Sequence, residues 1–146
     1  MSLDNLIVIS LEKVEPNKTM INRLLLAAKR NIKDSSVQEI SSENRFDAAY
    51  KAIMQLANLS LQVNGFRTLT SKPGHHMTMI QSLTQTIYAS KGTVIVLDAL
   101  RKQRNIADYS GGFVPISAVE ECISSAQSLF EDVELWLKKN KPEFID

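Results

Sequence analysis

The sequence predicts an all-α fold, an antiparallel bundle of about five helices. Apolar residues recur at helical spacing in one segment after another. Short breaks rich in Pro, Gly and Ser separate these segments. No stretch shows the clear apolar and polar alternation of a half-buried strand; "LIVISL" at 6–11 is the one candidate, with an extra helix or an arm as the alternatives.

Each element has its own reason. Pro16 and Asn17 punctuate the chain, after which Ile21, Leu24, Leu25, Ala28 and Ile32 mark a first helix over roughly 18–34. A second opens at the capping serines 41 and 42 and turns Phe46, Ala49, Tyr50, Ile53, Leu56, Ala57 and Val63 one way. Gly65 ends it, where a left-handed residue is wanted. "FRTLTSKPGHH" reads as a connector, since Pro73 and Gly74 oppose helix, and a shorter third helix follows with Met79, Ile80, Leu83 and Ile87 inward. After the break "ASKGT", a fourth runs from about Val94 to Tyr109, where Leu97, Leu100 and Ile106 can turn inward, and ends at Gly111 and Gly112. The fifth starts at Pro115, which suits a first turn, and ends near Lys139, where basic residues favour the negative end of the helix dipole. Its stripe Ile116, Val119, Ile123, Ala126, Phe130, Val133, Leu137 is joined by a second apolar line through Cys122, Leu129 and Trp136, so the helix is expected to pack on its neighbours and on a second subunit.

With 146 residues, the chain is expected to form a single domain, 1–146, with its core over about 18–140 and residues 1–17 as an N-terminal arm. Hydrophobic residues make up 44% and charged residues 23%, an ordinary globular balance. Seventeen basic against sixteen acidic residues leave +1, so any nucleic-acid contact has to be local. A single cysteine, Cys122, excludes an internal disulfide and a multi-cysteine zinc site, and fits a reducing, cytoplasmic setting. The N-terminus lacks a signal-peptide pattern, and no apolar run approaches bilayer length, so neither export nor membrane insertion is expected. No cofactor or metal is expected.

Standard catalytic and phosphate-loop motifs are missing, which leaves two places. The first is "LDALRKQRNIADYSGG" at 97–112, where Arg101, Arg104 or Asn105, and Asp108 share one helix face, with Tyr109 beside them. An exposed Arg104–Asp108 pair at i, i+4 spacing is the plainer account. The second is "SKPGHHM", where His75 and His76 meet a helix start. Adjacent histidines on a tight turn point apart, so a shared metal is not expected. Capping or packing is the plain role; with Lys72 and Arg67 one histidine could instead help bind an anion.

The order of these elements resembles the HEPN superfamily of small helical proteins. The similarity covers about 18–140 and is closest to a branch with G-H-H before the third helix and R-N-x-x-x-Y closing the fourth. Its most specific part is Arg104-Asn105 followed by Tyr109. The resemblance implies a dimer that brings two fourth-helix motifs together, and often a metal-independent ribonuclease toxin paired with a small nucleotidyltransferase antitoxin. By match to the motif, Arg104 is the arginine, Asn105 the polar residue, and Tyr109 stands where the family has histidine.

That departure bears on chemistry. RNA cleavage without metal needs a base for the 2′-hydroxyl proton and a cation for the phosphorane charge. Arg104 suits the second task, but a phenol, with a reference pKa near ~10, is a donor before it is a base. Three readings follow. The first is a dimeric module binding a nucleotide, an RNA phosphate or a partner protein through Arg101, Arg104, Asn105, Asp108 and Tyr109. The second is a ribonuclease with Arg104 as clamp and His75 or His76 as base. In the third, structural reading, Arg104 pairs with an acid such as Asp47 and Tyr109 packs on the last helix.

Overall fold

The computed structural model describes residues 10–69 and 74–146. Five helices form the body: α1 (Lys18–Ser35), α2 (Ser42–Val63), α3 (His75–Thr86), α4 (Lys91–Tyr109) and α5 (Ile116–Asn140), and a 3-10 turn at Pro142–Phe144 follows the last. Among the described residues no helix is long and apolar enough to cross a membrane.

The helix starts are fixed locally. Asn17, Ser41 and Ser90 each accept a backbone N–H of the first turn through their side chains, from Met20, Asn44 and Thr93 respectively. Gly65 follows α2 with φ +89°, a left-handed conformation that a Cβ would strain. Its carbonyl accepts the Val14 N–H at 2.9 Å, so the same turn anchors the N-terminal segment.

α2 is the hub. Phe46, Ala49, Tyr50, Ile53, Leu56, Ala57 and Val63 are all buried, together with Ala52, Met54, Leu59 and Leu61 on its other faces. A helix apolar around most of its circumference has to be surrounded. α1, α3, α4 and α5 all pack on it, and all contribute to one continuous core.

The all-α body carries one short β-pair, which the sequence reading did not place. β1 (Leu11–Lys13) and β2 (Phe66–Thr68) form an antiparallel pair, with Leu11 opposite Thr68, Glu12 opposite Arg67 and Lys13 opposite Phe66. Arg67 Nε donates to Glu12 Oε1 at 2.6 Å across the pair. Three residues per strand are too few for alternation to show, and the partners are far apart in sequence. "FRT" is therefore strand within the expected connector. The expected arm over 1–17 contains β1, with Leu11 fully buried. Of the candidate strand at 6–11, residues 6–9 lie outside the described residues.

Three further readings change. Ile106 is 58% exposed and Ala107 is the buried residue of that turn; Ile116 is 55% exposed at the start of α5. The buried line of α5 runs through Val119, Cys122, Ala126, Leu129, Val133 and Leu137, drawing on both apolar lines of the sequence. Ile123, Phe130 and Trp136 pack against its edge. α4 begins at Lys91, so the break before it lies at Tyr88–Ser90 and Gly92 is inside the helix.

Candidate functional site

α2, α3 and α4 meet around one side chain, Tyr50. Its ring belongs to the core, with 2% of the residue exposed, while its hydroxyl reaches His76 Nδ1 at 3.1 Å. Arg104 of α4 lies over the same ring, with its guanidinium carbon 5.1 Å from the centroid. That distance is within cation–π range. Arg104 Nε also donates to Asp47 Oδ1, one turn earlier on α2, at 3.3 Å.

These residues line a cleft of ≈ 470 Å³ together with Lys51, Gln55, Asn58 and Met79. A smaller cleft of ≈ 230 Å³ adjoins it, sharing His76 and lined by His75, Arg101 and Asn105. The His75 and His76 rings do not point apart as expected: both residues open α3, and the rings stand edge to face, 4.7 Å between centroids. Arg101 is held by Asp98, Nε to Oδ1 at 2.8 Å, and that hydrogen bond is the largest cause keeping the Asp98 carboxyl below its ordinary value.

The surroundings shift both groups of this contact. Burial pushes the Tyr50 hydroxyl up to about 12, against the downward pull of the Arg104 and Arg101 charges. Burial also pushes His76 down from 6.5, helped by the neighbouring His75, Arg104 and Arg101. Tyr50 is thus a phenol in need of an acceptor and His76 a neutral imidazole. If Tyr50 is the donor to Nδ1, the proton of His76 resides on Nε2. In that tautomer His76 is a hydrogen-bond donor to a ligand, and its lone pair is already engaged.

The structure thereby brings together Arg101, Arg104, Asn105, His75 and His76 from the two sequence-selected stretches. Asp108 and Tyr109 line neither cleft, and Tyr109 is 94% exposed. The ion pair of Arg104 is with Asp47 on α2 and not with Asp108. This is the contact of the structural reading, although the packing of Tyr109 on the last helix that went with it is not found. Arg67 is engaged by Glu12 in the β-pair. Lys72 lies outside the described residues.

Sequence reasoning treated Tyr50 as core only and gave Lys51, Gln55 and Asn58 no role. A signal was present: Asp47, Lys51, Gln55 and Asn58 recur at helical spacing as the polar strip of an otherwise apolar helix. Among the described residues no group of three or more His, Cys, Asp or Glu is placed to hold a metal ion.

Comparison of the chain with protein-family models, with curated proteins and with solved structures gives no match.

Proposed function

We propose that the chain is a HEPN-like helical module that binds a phosphate group, of an RNA strand or a nucleotide, in the cleft between α2, α3 and α4. The observation that supports this reading most is the convergence of Arg104, Lys51 and the imidazole of His76 on one cleft, with Arg101 and Asn105 in the adjoining one. A guanidinium offers phosphate a planar fork of charge-assisted donors. Its present partner, Asp47, has a half-exposed side chain, so the pair is weak and an incoming anion can displace it. In the reading the resemblance implies, two copies act as a dimer and a small nucleotidyltransferase is the partner in a toxin–antitoxin or stress-response pair.

The test uses fluorescence anisotropy with a labelled single-stranded RNA, and a separate titration with AMP to distinguish strand from nucleotide. Losing a charge-assisted bond of about 1.5–3 kcal/mol predicts that Arg104→Ala weakens binding by about tenfold or more. The reading is lost if Arg104→Ala lowers the melting temperature as much as Phe46→Ala while binding is unchanged.

A second reading, metal-independent RNA cleavage, is favoured by the placement of His76 and Arg104 in the same cleft. In the Nε2–H tautomer, His76 has to give up its bond to Tyr50 before it can take a proton. A cleavage rate untouched by both His75→Ala and His76→Ala would eliminate it.

A further inference from the structure

A second cleft, of ≈ 580 Å³, lies at the other end of α4, between the α3–α4 turn and the last turns of α5. From Ser90 to Arg104, at about 1.5 Å per residue, it is about 20 Å from the site above. Its lining includes Tyr88, Ser90, Thr93, Asp132, Trp136 and Lys139.

Tyr88 is the one non-glycine residue with positive φ among the described residues, at +58°. A side chain in the left-handed region costs free energy that glycine avoids, and such strain persists where the surroundings or a function require it. Burial offers little compensation here, because Tyr88 is 78% exposed. The chain thus carries an exposed aromatic ring where the backbone favours glycine.

The α5 side of the cleft carries a second unmet cost. Trp136 lines the same cleft, and its Nε1–H is buried with no hydrogen-bond partner among the described residues. A buried donor without an acceptor is uncommon and calls for an explanation. Asp132 and Lys139 enter no ion pair among the described residues. One acid and one base leave the lining without net charge, unlike the cationic Arg104 cleft. What remains is an aromatic face ringed by both donors and acceptors.

We propose that this cleft binds a small, neutral, planar heteroaromatic ligand of the nucleobase or nucleoside class. Tyr88 supplies the stacking face. Trp136 Nε1 and Lys139 donate to ring acceptors, and Asp132 accepts from an exocyclic amine. Because Nε1 is shut from solvent in the free protein, the indole has to turn to meet the ligand, and its emission changes when it does.

Trp136 is the only tryptophan of the chain, so emission under tryptophan-selective excitation reports this residue and not the tyrosines. Adenosine, titrated into the full chain, is expected to change Trp136 emission saturably. Tyr88→Ala and Tyr88→Gly are each expected to weaken binding by about tenfold, the scale of one lost base-stacking contact. Tyr88→Gly relieves the backbone strain and is expected to melt no lower than the wild type and above Tyr88→Ala. Amide shifts on adding adenosine are expected to cluster at 87–93 and 132–140. The proposal is overturned if neither adenosine nor guanosine gives a saturable change up to millimolar concentration, or if Tyr88→Ala binds as well as the wild type. Shifts centred on 47–58 and 101–105 instead would assign the ligand to the Arg104 cleft and equally overturn it. A Tyr88→Gly protein that melts well below the wild type would make the ring a structural element and remove the argument from strain.

Discussion

Replacing Tyr50 by phenylalanine isolates the one hydroxyl that ties the core to the candidate site. The ring stays, so the packing of a residue only 2% exposed and its contact with Arg104 are retained. What is lost is a neutral hydrogen bond of 3.1 Å to His76 Nδ1. Such a bond contributes about 0.5–1.5 kcal/mol net. His76 is only partly buried, so the released Nδ1 can bond to water and adds little further penalty. The expected loss is about 1 kcal/mol. For 146 residues the unfolding entropy, at about 2.1 cal/mol/K per residue, is about 0.3 kcal/mol/K, so the melting temperature should fall by about 3 °C. Calorimetry at pH 7.5 measures this, and ¹⁵N shifts of the His76 ring report the tautomer. The wild type should carry its proton on Nε2, and Tyr50→Phe should show a mixture of tautomers. An unchanged melting temperature with unchanged ring shifts would refute the assignment of Tyr50 as donor. A loss above about 3 kcal/mol would show that the hydroxyl supports more than this one bond.

Other consequences are open to measurement. Phe46→Ala removes a fully buried ring and should cost about 3–5 kcal/mol, whereas Arg104→Ala breaks a partly exposed ion pair and should cost about 1 kcal/mol or less; paired urea melts give both. Gly65→Ala puts a Cβ at φ +89° and should lower stability by about 1–2 kcal/mol, seen as a melting temperature lower by several degrees. His76 has a folded pKa below 6.5, so the unfolded chain binds its proton more readily. Its contribution to stability is complete above about pH 6.5 and is lost as the pH falls from there through the lower folded value. An NMR titration of the His76 ring should give a midpoint under 6.5, and one at or above it would contradict the burial argument. Burial pushes the Cys122 thiol up to about 12, so iodoacetamide should modify the native protein only at the rate of unfolding; rapid labelling at pH 8 would show that the packing of α5 on α2 leaves it open.

How much of this was legible beforehand differs between the helices and the site. The α1, α2 and α3 patterns marked the residues that are buried or packed on the core, because a helix presents its apolar stripe through local periodicity alone. Asn17, Ser41 and Gly65 marked boundaries for the same reason, since a cap satisfies backbone groups within its own turn. Ile106 and Ile116 failed the same test. Both sit at helix ends, where an apolar residue meets a neighbouring helix only if that neighbour extends far enough.

The site was half legible. Arg104, Asn105, His75 and His76 stood out as polar groups at helix ends, and packing does bring them together. Tyr109 stood out by its spacing from Arg104, yet spacing along one helix does not decide which side chains face a cleft made by three. Tyr50 was read only as core, because nothing local indicates that a buried ring will hold its hydroxyl against a histidine 26 positions away. The sequence by itself determined the number of helices, their approximate ends and the apolar faces of α1 to α3, all of which depend on neighbours a few residues apart. The tertiary structure alone decided the β1–β2 pairing, the Arg104–Asp47 pair, the cleft around His76 and the exclusion of Tyr109. Those contacts join residues distant in sequence, and they depend on the rotation and reach with which each helix packs on the next.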